Sequence, residues 1–141
     1  MLDSKFTLTG HLSISLNGEV VKDTPNLVVT AGKTHVLSRM KDSSSAVMSH
    51  MATGSSSVAA AAGNTALGSE VARVALTSGV VSGSSITYVA NFPPGTATGA
   101  LTESAILNSA SGGTMLCRTV FGVVNKSSGD QMTISWVITV S

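Results

Sequence analysis

The sequence predicts an all-β protein, either an antiparallel β-sandwich or a jelly-roll-like barrel, with one short helix near residues 31–41. Several segments alternate apolar and polar residues with a period of two, which is typical of half-buried strands. Gly, Asn and Pro turn signals separate these segments, as they do in sandwiches and barrels. The 141 residues correspond to one domain, so we expect a single β-rich domain over residues 1–141.

The N-terminal segment gives the first clear strand. Over residues 6–16, Phe, Leu and Ile alternate with Thr and Ser. An Asn-Gly pair follows at once, and this pair favours the positive φ angles of a two-residue hairpin turn. A returning strand is predicted over residues 19–22. Pro25 is expected to end it, before a short apolar strand over residues 26–30.

One helix is predicted after these strands. Thr30 has the side chain of a helix N-cap, and residues 31–41 place Val36, Leu37 and Met40 on one face. The chain is then expected to return to a strand over residues 46–53.

Residues 54–68 are rich in Ser, Ala and Gly and contain almost no bulky side chain. Such a segment cannot anchor itself by burial, so a flexible surface loop is predicted. Loops of this length are often functional, and we therefore interpret part of it as a candidate interaction arm. A mobile insertion without a function is the alternative. The candidate arm consists of Gly54, Ser55, Ser56, Ser57, Val58, Ala59, Ala60, Ala61, Ala62 and Gly63.

The second half of the chain repeats the strand pattern. Strands are predicted over residues 70–76, 86–92, 114–124 and 132–140. The segment 79–85 is interpreted as a turn region, and residues 100–108 fit either a strand or a short helix. In the last strand, Ile134, Trp136 and Ile138 share one parity, so we expect them to share a buried face with the strand over 114–124.

The titratable residues do not form a recognisable catalytic or metal-binding pattern. The seven acidic residues are scattered singly, and His11, His35 and His50 have no metal-ligand spacing with one another or with Cys117. We therefore predict no enzyme activity, no catalytic residue, no metal and no cofactor. The single Cys117 excludes an intrachain disulfide and is interpreted as a small core residue.

Charge and hydropathy exclude two further classes of partner. The formal net charge is +1 and no run of Lys or Arg occurs, so nucleic acid is not an expected partner. No segment approaches the ~20 apolar residues of a membrane helix, so a membrane is not expected either. The first residues lack the basic and apolar regions of a secretory signal, which predicts synthesis in the cytoplasm.

Four segments of the chain carry a family resemblance. They are Leu67-Gly68-Ser69-Glu70 leading to Arg73, Phe92-Pro93-Pro94-Gly95-Thr96-Ala97-Thr98-Gly99, Leu101-Thr102-Glu103-Ser104-Ala105-Ile106-Leu107-Asn108, and Gly113-Thr114-Met115-Leu116-Cys117-Arg118-Thr119-Val120-Phe121. Together with the closing strand, this set resembles small virion proteins of tailed bacteriophages, which are variously described as tail-fibre, baseplate or capsid-associated proteins. The resemblance covers residues 30–141 and supplies no catalytic or ligand-binding residue.

The resemblance implies a structural protein that is made in the host cytoplasm and located in the virion. The expected partners are other virion proteins, either the major capsid protein or tail proteins, and further copies of the chain as a dimer or trimer. Within this class we favour a capsid decoration, or cement, protein. A tail-fibre or baseplate component is the first alternative. A free carbohydrate-binding β-sandwich is the second, although the chain has few aromatic residues for a sugar platform.

Two ion pairs are candidates in a chain with only 11% charged residues. Glu103 and Arg118 fall on successive segments with few other charges, and Glu70 lies three residues before Arg73. Each acid could pair with its base and stabilise the sheet. The alternative is that all four side chains are solvated surface positions.

Overall fold

The computed structural model describes residues 7–141, which form an all-β fold with one helix. In chain order the elements are β1 (Leu8–Leu16), β2 (Glu19–Val28), α1 (Thr30–Lys41), β3 (His50–Gly54), β4 (Glu70–Ala75), β5 (Ser78–Ser82), β6 (Ser85–Phe92), β7 (Gly99–Leu107), β8 (Met115–Lys126) and β9 (Met132–Val140). The strands form one curled nine-stranded antiparallel sheet in the order β4-β3-β7-β8-β2-β1-β9-β6-β5. The all-β prediction is confirmed.

Strand β2 joins the two halves of the sheet. Up to Asn26 it pairs with β1, whereas Leu27 and Val28 pair with Arg118 and Cys117 of β8. The sheet is curled, and its two halves enclose one apolar core. Side chains from both halves contribute to that core, because each strand presents alternate residues to the inside.

The closing strand β9 contributes alternate side chains to this core. Ile134 and Trp136 are fully buried and Ile138 nearly so. They belong to the same apolar cluster as Cys117 and Phe121 of β8. The predicted shared face is therefore present.

The first hairpin has the predicted turn, but its second strand is longer than predicted. Asn17 and Gly18 both have positive φ, as a type I′ turn requires. Pro25 does not end the strand, which continues to Val28. The carbonyl of Pro25 accepts a hydrogen bond from Thr119 Oγ1, so this residue directs its backbone polar groups away from β1. An N–H group at this position would point away from β1 as well. The lack of an N–H on proline therefore costs no hydrogen bond between β1 and β2.

The helix has the predicted position but a different buried face. Val29 is the N-cap, Thr30 is the first helical residue, and no side chain caps the helix. The buried residues are Gly32 and His35, while Leu37 and Met40 are 63% and 74% exposed. A Cβ atom at Gly32 would lie 2.7 Å from the Leu116 carbonyl carbon, so the glycine allows the helix to approach β8 closely. Because the helix contacts β8 at Gly32, the helix face that contains Gly32 and His35 is the buried one.

Three other boundaries differ from the prediction. The segment interpreted as a turn region contains β5, which pairs with β6 through a two-residue loop with positive φ at Gly83. The ambiguous segment is β7, a central strand. Strand β3 begins only at His50 and includes Gly54, so the irregular loop covers residues 55–69. In the described part of the chain, no helix is long and apolar enough to cross a membrane.

Candidate functional site

The loop of residues 55–69 folds across the outer face of the half-sheet formed by β3, β7 and β8. Leu67 is its only large buried side chain, at 9% exposure. It packs in a small second apolar cluster on the opposite side of the sheet from the main core, with Val29, Ala52, Ala105, Leu107 and Met115. The loop therefore covers a surface that would otherwise be open to solvent.

A buried carboxylate on β7 holds the loop by its backbone. Glu103 has no exposed surface. Its Oε2 accepts hydrogen bonds from the backbone N–H groups of Ser56 and Ser69, at 3.0 and 2.7 Å. Its Oε1 accepts one from Gly68 N–H at 2.9 Å. One side chain thus fixes both ends of the loop.

Arg118 on the neighbouring strand β8 completes this arrangement. Its Nε and Nη2 donate to Glu103 Oε1 at 3.2 and 3.0 Å. Nη2 also donates to the Val58 carbonyl at 2.9 Å, and Nη1 donates to Asn64 Oδ1 at 3.0 Å. We call Glu103, Arg118 and their loop partners the clasp.

The clasp keeps Glu103 ionised. Burial alone would raise the pKa of this carboxyl group. The hydrogen bonds from Gly68, Ser69 and Ser56, together with Arg118, outweigh that effect and hold the pKa below its ordinary value. Because every accepting position is used and no surface is exposed, the carboxylate cannot reach a substrate. Its chemistry here is structural.

Gly54 allows the loop to lie this close to Glu103. A Cβ atom at this position would lie 2.5 Å from Glu103 Oε2 and still closer to the carbonyl oxygen of Ser69. Any larger residue would therefore displace the carboxylate or the loop. The predicted arm thus begins with a buried residue that belongs to the sheet.

The rest of the predicted arm divides into an anchored part and an exposed tip. Ser56 is half-buried, and its carbonyl accepts a hydrogen bond from Thr102 Oγ1 at 2.8 Å. Val58 is 74% exposed although its carbonyl is bound by Arg118. Residues 59–63 form the tip, which is exposed apart from the half-buried Ala60. The tip is also held by hydrogen bonds, since the Ala62 carbonyl accepts one from Thr30 N–H at 2.8 Å and Ala61 N–H donates to Asn64 Oδ1 at 2.8 Å.

The second predicted pair, Glu70 and Arg73, lies on the edge strand β4. Arg73 Nη2 and Nε donate to the two carboxylate oxygens of Glu70 at 2.7 and 3.1 Å. Arg73 Nη1 also donates to the carbonyls of Ser109 and Gly112. This pair fastens the loop between β7 and β8 to the edge of the sheet.

The histidines lie apart from the clasp. His11 is exposed beside Asp23, and His35 lies against Ser45 at 2.8 Å. Burial, with a smaller effect from Arg39, lowers the pKa of His35. Within residues 7–141, no three His, Cys, Asp or Glu side chains are grouped closely enough to hold a metal ion.

The sequence identified Glu103 and Arg118 as a candidate pair, but it did not identify the loop groups that they bind. The donors at Ser56, Gly68 and Ser69 are backbone groups, which have no signature in the side-chain pattern. Leu67 was a usable signal, because it is one of only two large aliphatic residues in a segment of small ones.

Comparisons with known proteins identify no relative. The sequence matches no protein-family model, and no curated protein or solved structure is significantly similar to the chain.

Proposed function

We propose that this chain is a structural component of a tailed-phage virion, and specifically a capsid decoration protein that stabilises the assembled shell. The observation that carries the proposal is the clasp, which holds an uncharged, exposed loop tip in a fixed place on the sheet. The chain then acts by binding neighbouring proteins and not by catalysis.

The surface supports a role in assembly. Many large apolar side chains are exposed, among them Val20, Val21, Leu27, Leu37, Met40, Val47, Val58, Val71, Val80 and Val81. Charged residues make up only 11% of the chain. Interfaces between proteins are depleted of charge at their centres. The binding of a partner to this surface would remove water from few charged groups.

Because the clasp already orders the loop, the binding of a partner would remove less of the loop's conformational entropy. Ordering a free loop costs about 1–2 kcal/mol per residue in backbone entropy. In this chain Glu103 binds both ends of the loop and Thr30 N–H binds the Ala62 carbonyl of the tip, so little of the loop remains to be ordered. A pre-organised loop of this kind binds more tightly than a free one. A subunit that binds only the assembled shell stabilises that shell by mass action.

The carbohydrate-binding alternative is disfavoured by the aromatic residues. Of those in residues 7–141, Phe92 and Trp136 are fully buried, Phe121 is 9% exposed and Tyr88 is half-buried. A sugar platform needs exposed aromatic faces, and Phe6 lies outside the described residues. The tail-fibre or baseplate role stays as the alternative to capsid decoration, with other tail proteins as the partners.

We further propose that the two halves of the sheet correspond to the two layers of an antiparallel β-sandwich. Both halves contribute side chains to one core. Two layers of this kind present two outer faces, of which one is covered by the loop.

The test uses two surface variants in the phage that encodes this chain. Val58→Asp places a charge beside the loop tip without touching the Arg118 contact, which involves the backbone carbonyl. Val123→Asp adds the same charge to an exposed position of β8. We expect V58D to incorporate poorly and the particles to release DNA at a lower temperature, while V123D particles match wild type.

Normal incorporation and unchanged DNA release for V58D would refute the decoration role. If the V58D shells are robust while adsorption to host cells falls, the tail-fibre or baseplate role replaces it.

A further inference from the structure

The two edges of the sheet are protected very differently. At one edge, β4 carries the Glu70–Arg73 pair and packs against β6. At the other edge, β5 pairs only with β6 and is exposed along its whole length. Natural proteins block free sheet edges with charges, bulges or covering segments, because an open edge pairs with other strands. Strand β5 has no charged residue and no proline.

The side chains of β5 are also unsuited to solvent. Val80 and Val81 point to opposite faces of the strand and are 59% and 71% exposed. Neither side of the strand is therefore covered by the core. A strand that lacks charge and exposes apolar residues on both faces has the properties of an interface.

We propose that β5 is a self-association site, at which two copies of this chain pair their β5 strands in antiparallel fashion around a two-fold axis. The sheets of the two copies would then be continuous across the dimer. The resemblance described above implies further copies of the chain as a dimer or trimer, and this pairing proposes the surface through which two copies meet. It would stand even if the chain were not a virion component.

The sequence of β5 fits its own antiparallel copy. With the two-fold axis at Val80, each Val80 lies opposite Val80 of the second copy, and Ser78 lies opposite Ser82. Val81 then lies opposite Gly79, which has no side chain of its own. The ring of Tyr88 covers Gly79, since a Cβ atom there would lie 3.3 Å from Tyr88 Cδ1. Val81 of the second copy would therefore contact this ring.

The geometry permits a direct test by cross-linking. Residues opposite each other in an antiparallel pair have Cα atoms about 4.5–5.5 Å apart, which is within the range that a disulfide spans. We expect Val80→Cys to form a disulfide-linked dimer on mild oxidation. Val123→Cys, on an exposed position of β8, is the control and should run as a monomer on a non-reducing gel. The native Cys117 is fully buried and does not compete.

A second test changes the charge at the axis. Val80→Lys would place two like charges opposite each other, so we expect the dissociation constant measured by sedimentation to rise at least about tenfold. Because salt screens this repulsion, part of the loss should be recovered at high ionic strength. Val123→Lys is the matched control and should associate like wild type.

Either of two results would overturn the proposal. One is a wild-type chain that remains monomeric at every concentration tested. The other is association that V80K leaves unchanged, together with no disulfide-linked dimer of V80C. Both measurements use the purified chain, so their outcome is separate from that of the particle experiment above.

Discussion

Glu103 and Arg118 lie on the adjacent strands β7 and β8 and form an ion pair with side-chain exposures of 0% and 2%. Three loop amides donate to the acid, while the base binds the Val58 carbonyl and the Asn64 side chain. A buried pair of this kind stabilises a fold only when its remaining hydrogen-bonding groups are satisfied. Here the loop satisfies them, so the pair and the loop depend on each other.

The first prediction concerns the charge of Glu103. Glu103→Gln leaves Arg118 buried without a counter-charge, so we expect a loss of about 3–5 kcal/mol in the free energy of unfolding. Urea denaturation measures it. Glu70→Gln is the control, because Glu70 is 36% exposed and its pair should contribute only about 0–1 kcal/mol. Equal effects of the two variants would contradict the clasp.

The second prediction concerns pH. The pKa of Glu103 is lowered in the folded state, so its contribution to stability is complete above its ordinary value of 4.5. The contribution is lost as pH falls through the lowered folded-state pKa, because the folded state must then take up the proton. Urea unfolding at a series of acidic pH values should show this loss in wild type. The same series on E103Q should lack it, and a parallel decline in both proteins would count against Glu103.

The third prediction concerns Gly54. Gly54→Ala introduces a Cβ atom into the space between Glu103 and Ser69, and we expect overpacking to cost about 1–3 kcal/mol. Gly63→Ala is the matched control in the exposed tip, where a Cβ atom meets nothing within 4 Å. Thermal unfolding of both variants checks the difference. A stable G54A protein with normal amide protection at Ser56 and Ser69 would show that the close approach is unimportant.

The fourth prediction concerns the core. Ile134 has no exposed surface, so Ile134→Ala should lower the free energy of unfolding by about 2–5 kcal/mol. Val137 on the same strand is only half-buried, and Val137→Ala should cost less. The fluorescence of Trp136 should be that of a buried indole. Emission typical of a water-exposed tryptophan would show that the register of β9 differs from the one described here.

Several strands could be predicted because their pattern depends on local sequence alone. In β9, one face is buried and the other is half-exposed, so apolar and polar residues alternate and the strand can be recognised. Strand β5 could not be recognised in this way, since it has no buried face and therefore no alternation. Its Ser and Gly residues are typical of turns, so the sequence predicted a turn region there. Only its pairing with β6 makes it a strand.

The sequence by itself determined the β-rich class, the hairpin at Asn17 and Gly18, and the pairing candidates Glu103 and Arg118. The tertiary structure decided what those candidates do. Ser56, Gly68 and Ser69 lie 34–47 residues from Glu103 along the chain, and they bind it through backbone groups that every residue possesses. Side-chain patterns carry no information about such contacts, so the clasp exists only once the loop has folded across β7 and β8.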